Sequence, residues 1–157
     1  MISRKALLIS APGGSTLSSD GLNSDLETTR NFLLSPRGGA WANHEITVLD
    51  NPDAAEIVAA VKEMQADYTI TYFSGKSFAD AKANRFLILH EGDFIQDTEL
   101  LNDSAKQLVL VDACPEAFTK EVIHFTGKPN EFQLARAMYD KWIQRCEPGQ
   151  MIMHAND

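Results

Sequence analysis

Cysteine is scarce in this chain, with only Cys114 and Cys146 among 157 residues. Two thiols in unlike contexts make no disulfide framework, and they have no CxxC metal spacing. A reducing compartment is the expected setting, and the cytoplasm is the default one. Positive charge is also short: 14 Lys and Arg stand against 22 Asp and Glu, a formal net charge of −8. Nucleic-acid binding needs clustered positive charge, so that class of partner is not expected, whereas a cationic ligand or peptide is compatible. No apolar run approaches the length of a membrane span. The opening MISRKALLIS starts basic, but its apolar run is short and reads as a first strand, not a signal peptide. Internal repeats and low-complexity segments are missing too. What is present is an ordinary globular balance, 44% apolar and 23% charged, in a length suited to one domain over 1–157.

The pattern along the chain alternates strands with helices. Lys5–Ser10 reads as a buried strand, followed by the loop APGGSTLSSDG. Ser24–Leu34 reads as a helix that stops at Ser35-Pro36-Arg37-Gly38-Gly39. Glu45–Leu49 is a strand; Asn51-Pro52 then looks like an N-cap with proline at the first helical position. Ile57, Val61 and Met64 form the inner stripe of that helix. Tyr68–Phe73 is the third strand, rich in β-branched and aromatic residues. A polar segment, Lys76–Asn84, leads to a short strand at Phe86–His90, and Asp97–Leu101 reads as a helical turn. Gln107–Val111 is the next strand. Asn130 is expected to cap a long helix reaching about Cys146, with Leu134, Met138 and Trp142 inward, and Gln150–His154 reads as a last strand. Such alternation implies an α/β fold in three layers, with a mostly parallel sheet covered on both faces. Sites in such folds form at the carboxyl ends of strands, so Asp25, Lys76 and Cys114 are expected near one edge.

Two motifs invite a chemical reading. Gly75-Lys76-Ser77 looks like the end of a phosphate-binding loop, but that loop needs a glycine five residues before Gly75, where Ile70 stands inside a strand. The APGG turn at Ala11–Gly14 lacks the spacing of a dinucleotide site. The second motif is Cys114, directly after the apolar strand QLVLV and Asp112-Ala113. A lone cysteine is usually a small core residue, yet this one lies where sites form. Cys146, on a helix at core spacing, reads as structural.

Taken together, the segments KALLIS, Gly21-Leu22-Asn23-Ser24-Asp25, Tyr72-Phe73-Ser74-Gly75-Lys76-Ser77, Phe86–Leu89 with Glu91-Gly92-Asp93, and Asp112-Ala113-Cys114 resemble the caspase and metacaspase superfamily of cysteine peptidases, peptidase family C14, over most of a p20-like domain. There the third strand ends in a Ser-Gly-His-Gly turn carrying the general base, and the fourth ends in Asp-x-Cys carrying the nucleophile. The resemblance implies Cys114 at the nucleophile position, Lys76 at the position of the base histidine, and Gly75 and Ser77 in the oxyanion turn. It implies that Asp25 and Asp112 line the pocket for the residue before the cut, as in metacaspases and their bacterial relatives. Two carboxylates there favour Arg or Lys. The partner implied is a peptide or protein substrate, or a regulatory protein. No metal or other cofactor is implied by the residues; calcium serves some metacaspase-type enzymes, and no dedicated calcium loop is legible.

The chain departs from that family in three places. Lys76 replaces the histidine that would take and return a proton near neutral pH. An ammonium favours a neighbouring thiolate but, with an unperturbed pKa around 10.4, does not cycle a proton at neutral pH. It is expected to turn into the acidic pocket and pair with Asp112. Ser77 replaces the second glycine, which strains the turn if it requires positive φ. The given sequence also ends with GQMIMHAND, where related domains continue into further sheet, so another chain completing the sheet is one expectation. Among the other histidines, His154 is the first candidate for a substitute base, ahead of His44, His90 and His124. The expectation is a catalytically impaired caspase-like domain acting through partner binding or regulation. An active endopeptidase cutting after Arg or Lys, and an unrelated α/β ligand-binding module, stay open.

Overall fold

The structure, a computed structural model, describes residues 2–13, 19–89, 93–113 and 124–155, with 19–22 described only along the backbone. In chain order its main elements are β1 (Arg4–Ala11), α1 (Ser19–Leu34), β2 (Ile46–Asp50), α2 (Ala54–Glu63), β3 (Tyr68–Ala79), β4 (Arg85–Ile88), β5 (Phe94–Gln96), β6 (Lys106–Ala113), α3 (Pro129–Arg145) and β7 (Gly149–His154). Strands β2, β1, β3, β6 and β7 lie side by side in that order, each parallel to its neighbour. The far end of β3 pairs antiparallel with β4, and β4 with β5, giving a mostly parallel seven-stranded sheet.

Side chains alternate across this sheet and feed two cores. Leu7, Ile9, Phe73, Val109 and Val111 pack on one face with Ile57, Val61 and Met64, so the stripe predicted for α2 is the buried one. Ala6, Leu8 and Tyr72 pack on the other face with Leu26 and Leu33 of α1 and with Trp41. Helix α3 lies on this second side, where Tyr139 and Ile143 line one cavity with Trp41, Tyr68 and Ile70. The result is the three-layer α/β/α arrangement that the alternation predicts. Among the described residues, no helix is long and apolar enough to cross a membrane.

Several boundaries differ from expectation for local reasons. Helix α1 starts at Ser19, ahead of Ser24. Helix α2 is capped by Asp53, not Asn51: Asp53 Oδ1 accepts from the Glu56 amide at 2.8 Å, and Glu56 Oε2 accepts from the Asp53 amide at 2.9 Å. This reciprocal box satisfies two end donors, while Asn51 turns away at φ 52°. Asn130 lies inside α3; Pro129 opens the helix, and the Lys128 amide before it donates to Glu131 Oε2 at 2.9 Å.

The inward face of α3 is rotated from the predicted one. Leu134, Met138 and Trp142 are 69%, 53% and 59% exposed, while Ala135 and Ile143 are buried. Polar anchors account for the rotation. Arg4, with a wholly buried side chain, lies 3.6 Å from Asp140 and 3.8 Å from Glu45. Arg136 forks onto Glu45 at 2.5 and 2.9 Å, and the Tyr139 hydroxyl donates to the Arg37 carbonyl. Burying a charge is costly unless it is paired, so positions 135, 136, 139, 140 and 143 turn inward together.

Candidate functional site

At one end of the sheet, β1 and β6 finish level with the middle of β3. Ala11 of β1 is in register with Gly75 of β3, and Gly75 with Ala113 of β6. Lys76 is the next residue along β3; Cys114, which follows Ala113 in the sequence, lies outside the described residues, as does His90. Glycine at 75 is a packing requirement: an added Cβ would stand 2.5 Å from the Ala11 carbonyl oxygen and 2.9 Å from the Phe73 ring.

Ser74-Gly75-Lys76-Ser77 is not a turn. The segment is extended, in the middle of the twelve-residue β3, and its pairing passes from β6 to β4 at this point, with Lys76 opposite Ile88 and Ser77 opposite Leu87. Ser77 is not among the residues at positive φ, so the strain expected of serine there is not present. The Lys76 stem runs beside Ile88 and the start of the loop after β1; a Cβ on Gly13, which sits at φ 70°, would lie 3.6 Å from Lys76 Cδ.

On the α1 side of this edge the two predicted carboxylates meet around a tyrosine. Tyr72 is buried, and its hydroxyl donates to Asp112 Oδ2 at 3.2 Å. Asp25, on α1, is near enough for its charge to act on the same phenol, and the Thr29 hydroxyl one turn further along is hydrogen-bonded to it. Burial raises the Tyr72 pKa well above the ordinary tyrosine value, and the charges of Asp112 and then Asp25 raise it further. The phenol therefore stays protonated and serves as a donor that fixes one carboxylate. Asp25 and Asp112 are themselves only half-buried. Tyr72 and Thr29 escaped the sequence reading. The one signal for Tyr72 was its parity with Asp112, since its register partner is Leu110, two residues earlier.

The histidines are elsewhere. His154 Nε2 lies 3.0 Å from Asp97 Oδ2. Its register partner is Val111, whose side chain enters the core on the α2 face, so His154 and Asp112 project from opposite faces of the sheet. His124 is exposed and contacts Asn31 of α1 at 3.5 Å. That is six residues, or about 9 Å of helix axis, from Asp25. His44 is exposed in a 3-10 turn before β2. Cys146 is exposed as a free thiol, not a core residue. Among the described residues, no group of three or more His, Cys, Asp or Glu is placed to hold a metal ion.

Chemically, this end of the sheet offers the Asp112 carboxylate, which accepts from the Tyr72 phenol, a second carboxylate, Asp25, whose charge acts on the same phenol, and a lysine two residues beyond Ser74. None of the described histidines, His44, His124 and His154, lies at this set. No family model matches the chain, and no curated protein matches it either.

Proposed function

We propose that this chain is a caspase-like domain whose Asp25–Asp112 pocket takes an Arg or Lys side chain of a peptide or protein partner, and that it acts by binding or regulation and not by cleavage. The observation that supports the reading is the Tyr72–Asp112 hydrogen bond near the end of β6, with the Asp25 charge acting on the same phenol. Lys76 stands at the position of the base, and an ammonium does not serve as a proton shuttle near neutral pH. A reducing, cytoplasmic setting suits the two thiols.

One observation favours the second reading, an active endopeptidase. Gly75 and Ala113 are register partners, and Lys76 and Cys114 are the residues that follow them in the sequence. A cation beside a thiol favours the thiolate nucleophile.

The binding reading is tested by calorimetric titration with a short acetylated, amidated peptide containing one arginine, and with its norleucine counterpart. Preferential binding of the arginine peptide, weakened about tenfold or more in Asp112→Asn and in Asp25→Asn, is expected. Equal affinity for the two peptides would reject the reading.

A further inference from the structure

The antiparallel arm β3–β4–β5 has two unlike faces. Leu87 and Ile95 are buried in the core beneath α2. The opposite face carries Lys76 and Phe78 from β3, Phe86 and Ile88 from β4, and Phe94 from β5, as the register requires. An outward face of an antiparallel sheet ordinarily carries polar residues. Here three of the chain's eight phenylalanines gather on it. Phe78 stacks on Phe86 with centroids 5.2 Å apart, and Phe94 meets both edge-on at 5.6 and 5.4 Å. Phe78 and Phe94 are nevertheless 41% and 50% exposed. The rings hold one another in place and leave an apolar platform to solvent.

The platform is aligned with the acidic pocket. Tyr72, Ser74, Lys76 and Phe78 alternate along β3 and so project from one side of it. Six residues separate Tyr72 from Phe78, a span of about 20 Å. Asp112 is level with Ser74 and so lies nearer to Phe78, and an extended peptide reaching from that carboxylate to the platform needs at most six residues or so. The net charge of −8 attracts a basic peptide and repels a second copy of this chain, so the peptide is the better-matched occupant.

We propose that the Phe78–Phe86–Phe94 platform is an apolar subsite for a large aromatic side chain of the same peptide whose basic residue enters the Asp25–Asp112 pocket, the two side chains standing about six residues apart. The inference rests on the proposed basic-side-chain pocket and adds a second specificity element to it.

The test uses the full chain and six fluorescent seven-residue peptides: arginine and tryptophan at opposite ends of a Gly-Ser spacer, in both orders, each with an alanine-for-tryptophan and a norleucine-for-arginine counterpart. In one order the tryptophan peptide is expected to bind about tenfold tighter than its alanine counterpart. That gain disappears in Phe94→Gln and persists in Phe94→Leu, which keeps the surface apolar, with thermal melts showing both variants folded. Asp112→Asn separates the two readings: loss of arginine dependence with the tryptophan gain intact supports both sites, and a tryptophan gain without any arginine dependence supports the platform alone. Equal binding of tryptophan and alanine peptides in both orders would overturn the platform. So would a gain retained in Phe94→Gln, or Phe94-dependent self-association in sedimentation without an effect on peptide.

Discussion

Tyr72 and Asp112, forty residues apart in the chain, are joined by a 3.2 Å hydrogen bond on the α1 face of the sheet. Burial lifts the phenol's pKa, and the charges of Asp112 and Asp25 lift it further. A pKa raised by folding contributes stability that is complete below the unfolded tyrosine value, about 10, and is lost as pH rises through the folded value. Absorbance titration of the phenols should therefore show a late-ionising tyrosine whose pKa falls in Asp112→Asn and falls less in Asp25→Asn. An unchanged titration in both variants would contradict the shared site.

The second prediction concerns the buried charge beneath α3. Burial lowers the pKa of Arg4, and Glu45 and Asp140 offset part of that effect. Burial also works against the Glu45 charge, but hydrogen bonds from Arg136 and the Ala42 amide hold its carboxyl below the usual range. Removing one partner of a buried pair strands the other, so Glu45→Ala should cost about 3–5 kcal/mol in urea unfolding at pH 7. A depressed carboxyl pKa contributes stability above its unfolded value, about 4.3, and loses it as pH falls through the folded value. The stability gap between the natural chain and Glu45→Gln should therefore narrow with acid.

Helix α3 gives a sharp contrast between two stripes. Ile143→Ala should cost about 2–5 kcal/mol, because Ile143 is buried. Leu134→Gln and Met138→Gln should change stability by about 0.5 kcal/mol or less, since both side chains are more than half exposed. Denaturant midpoints that reverse this order would mean that the helix turns its other stripe inward.

Two glycines make a similar pair. Gly75→Ala places a methyl 2.5 Å from the Ala11 carbonyl oxygen, where backbone must move, whereas a methyl at Gly149 meets nothing within 4 Å. Gly75→Ala should cost about 1–3 kcal/mol. Gly149→Ala should lie within about 0.5 kcal/mol of the natural chain.

The parts legible in the sequence were those set by local apolar pattern. The runs at KALLIS and QLVLV could only be buried strands, and Ile57, Val61 and Met64 recur at helical spacing, so sheet and α2 core followed. The α3 stripe was misread because the helix carries two candidate stripes. The deciding interactions, Arg4 with Asp140 and Arg136 with Glu45, join residues some 90 or more apart. Ser74–Ser77 was expected to form a turn because the resemblance implied one; pairing with β4 keeps the segment extended. At the candidate site, Asp25 and Asp112 were named together only through the resemblance. The phenol between them was not, since an inward tyrosine in a strand looks like any other core aromatic.

The most direct test of the central claim is a cleavage assay. The natural chain, Cys114→Ala and Lys76→His are incubated with fluorogenic peptides bearing Arg or Lys before the scissile bond, with and without calcium. The account predicts no cysteine-dependent cleavage by the natural chain, with activity restored, if anywhere, only in Lys76→His. Cleavage by the natural chain that Cys114→Ala abolishes would contradict it.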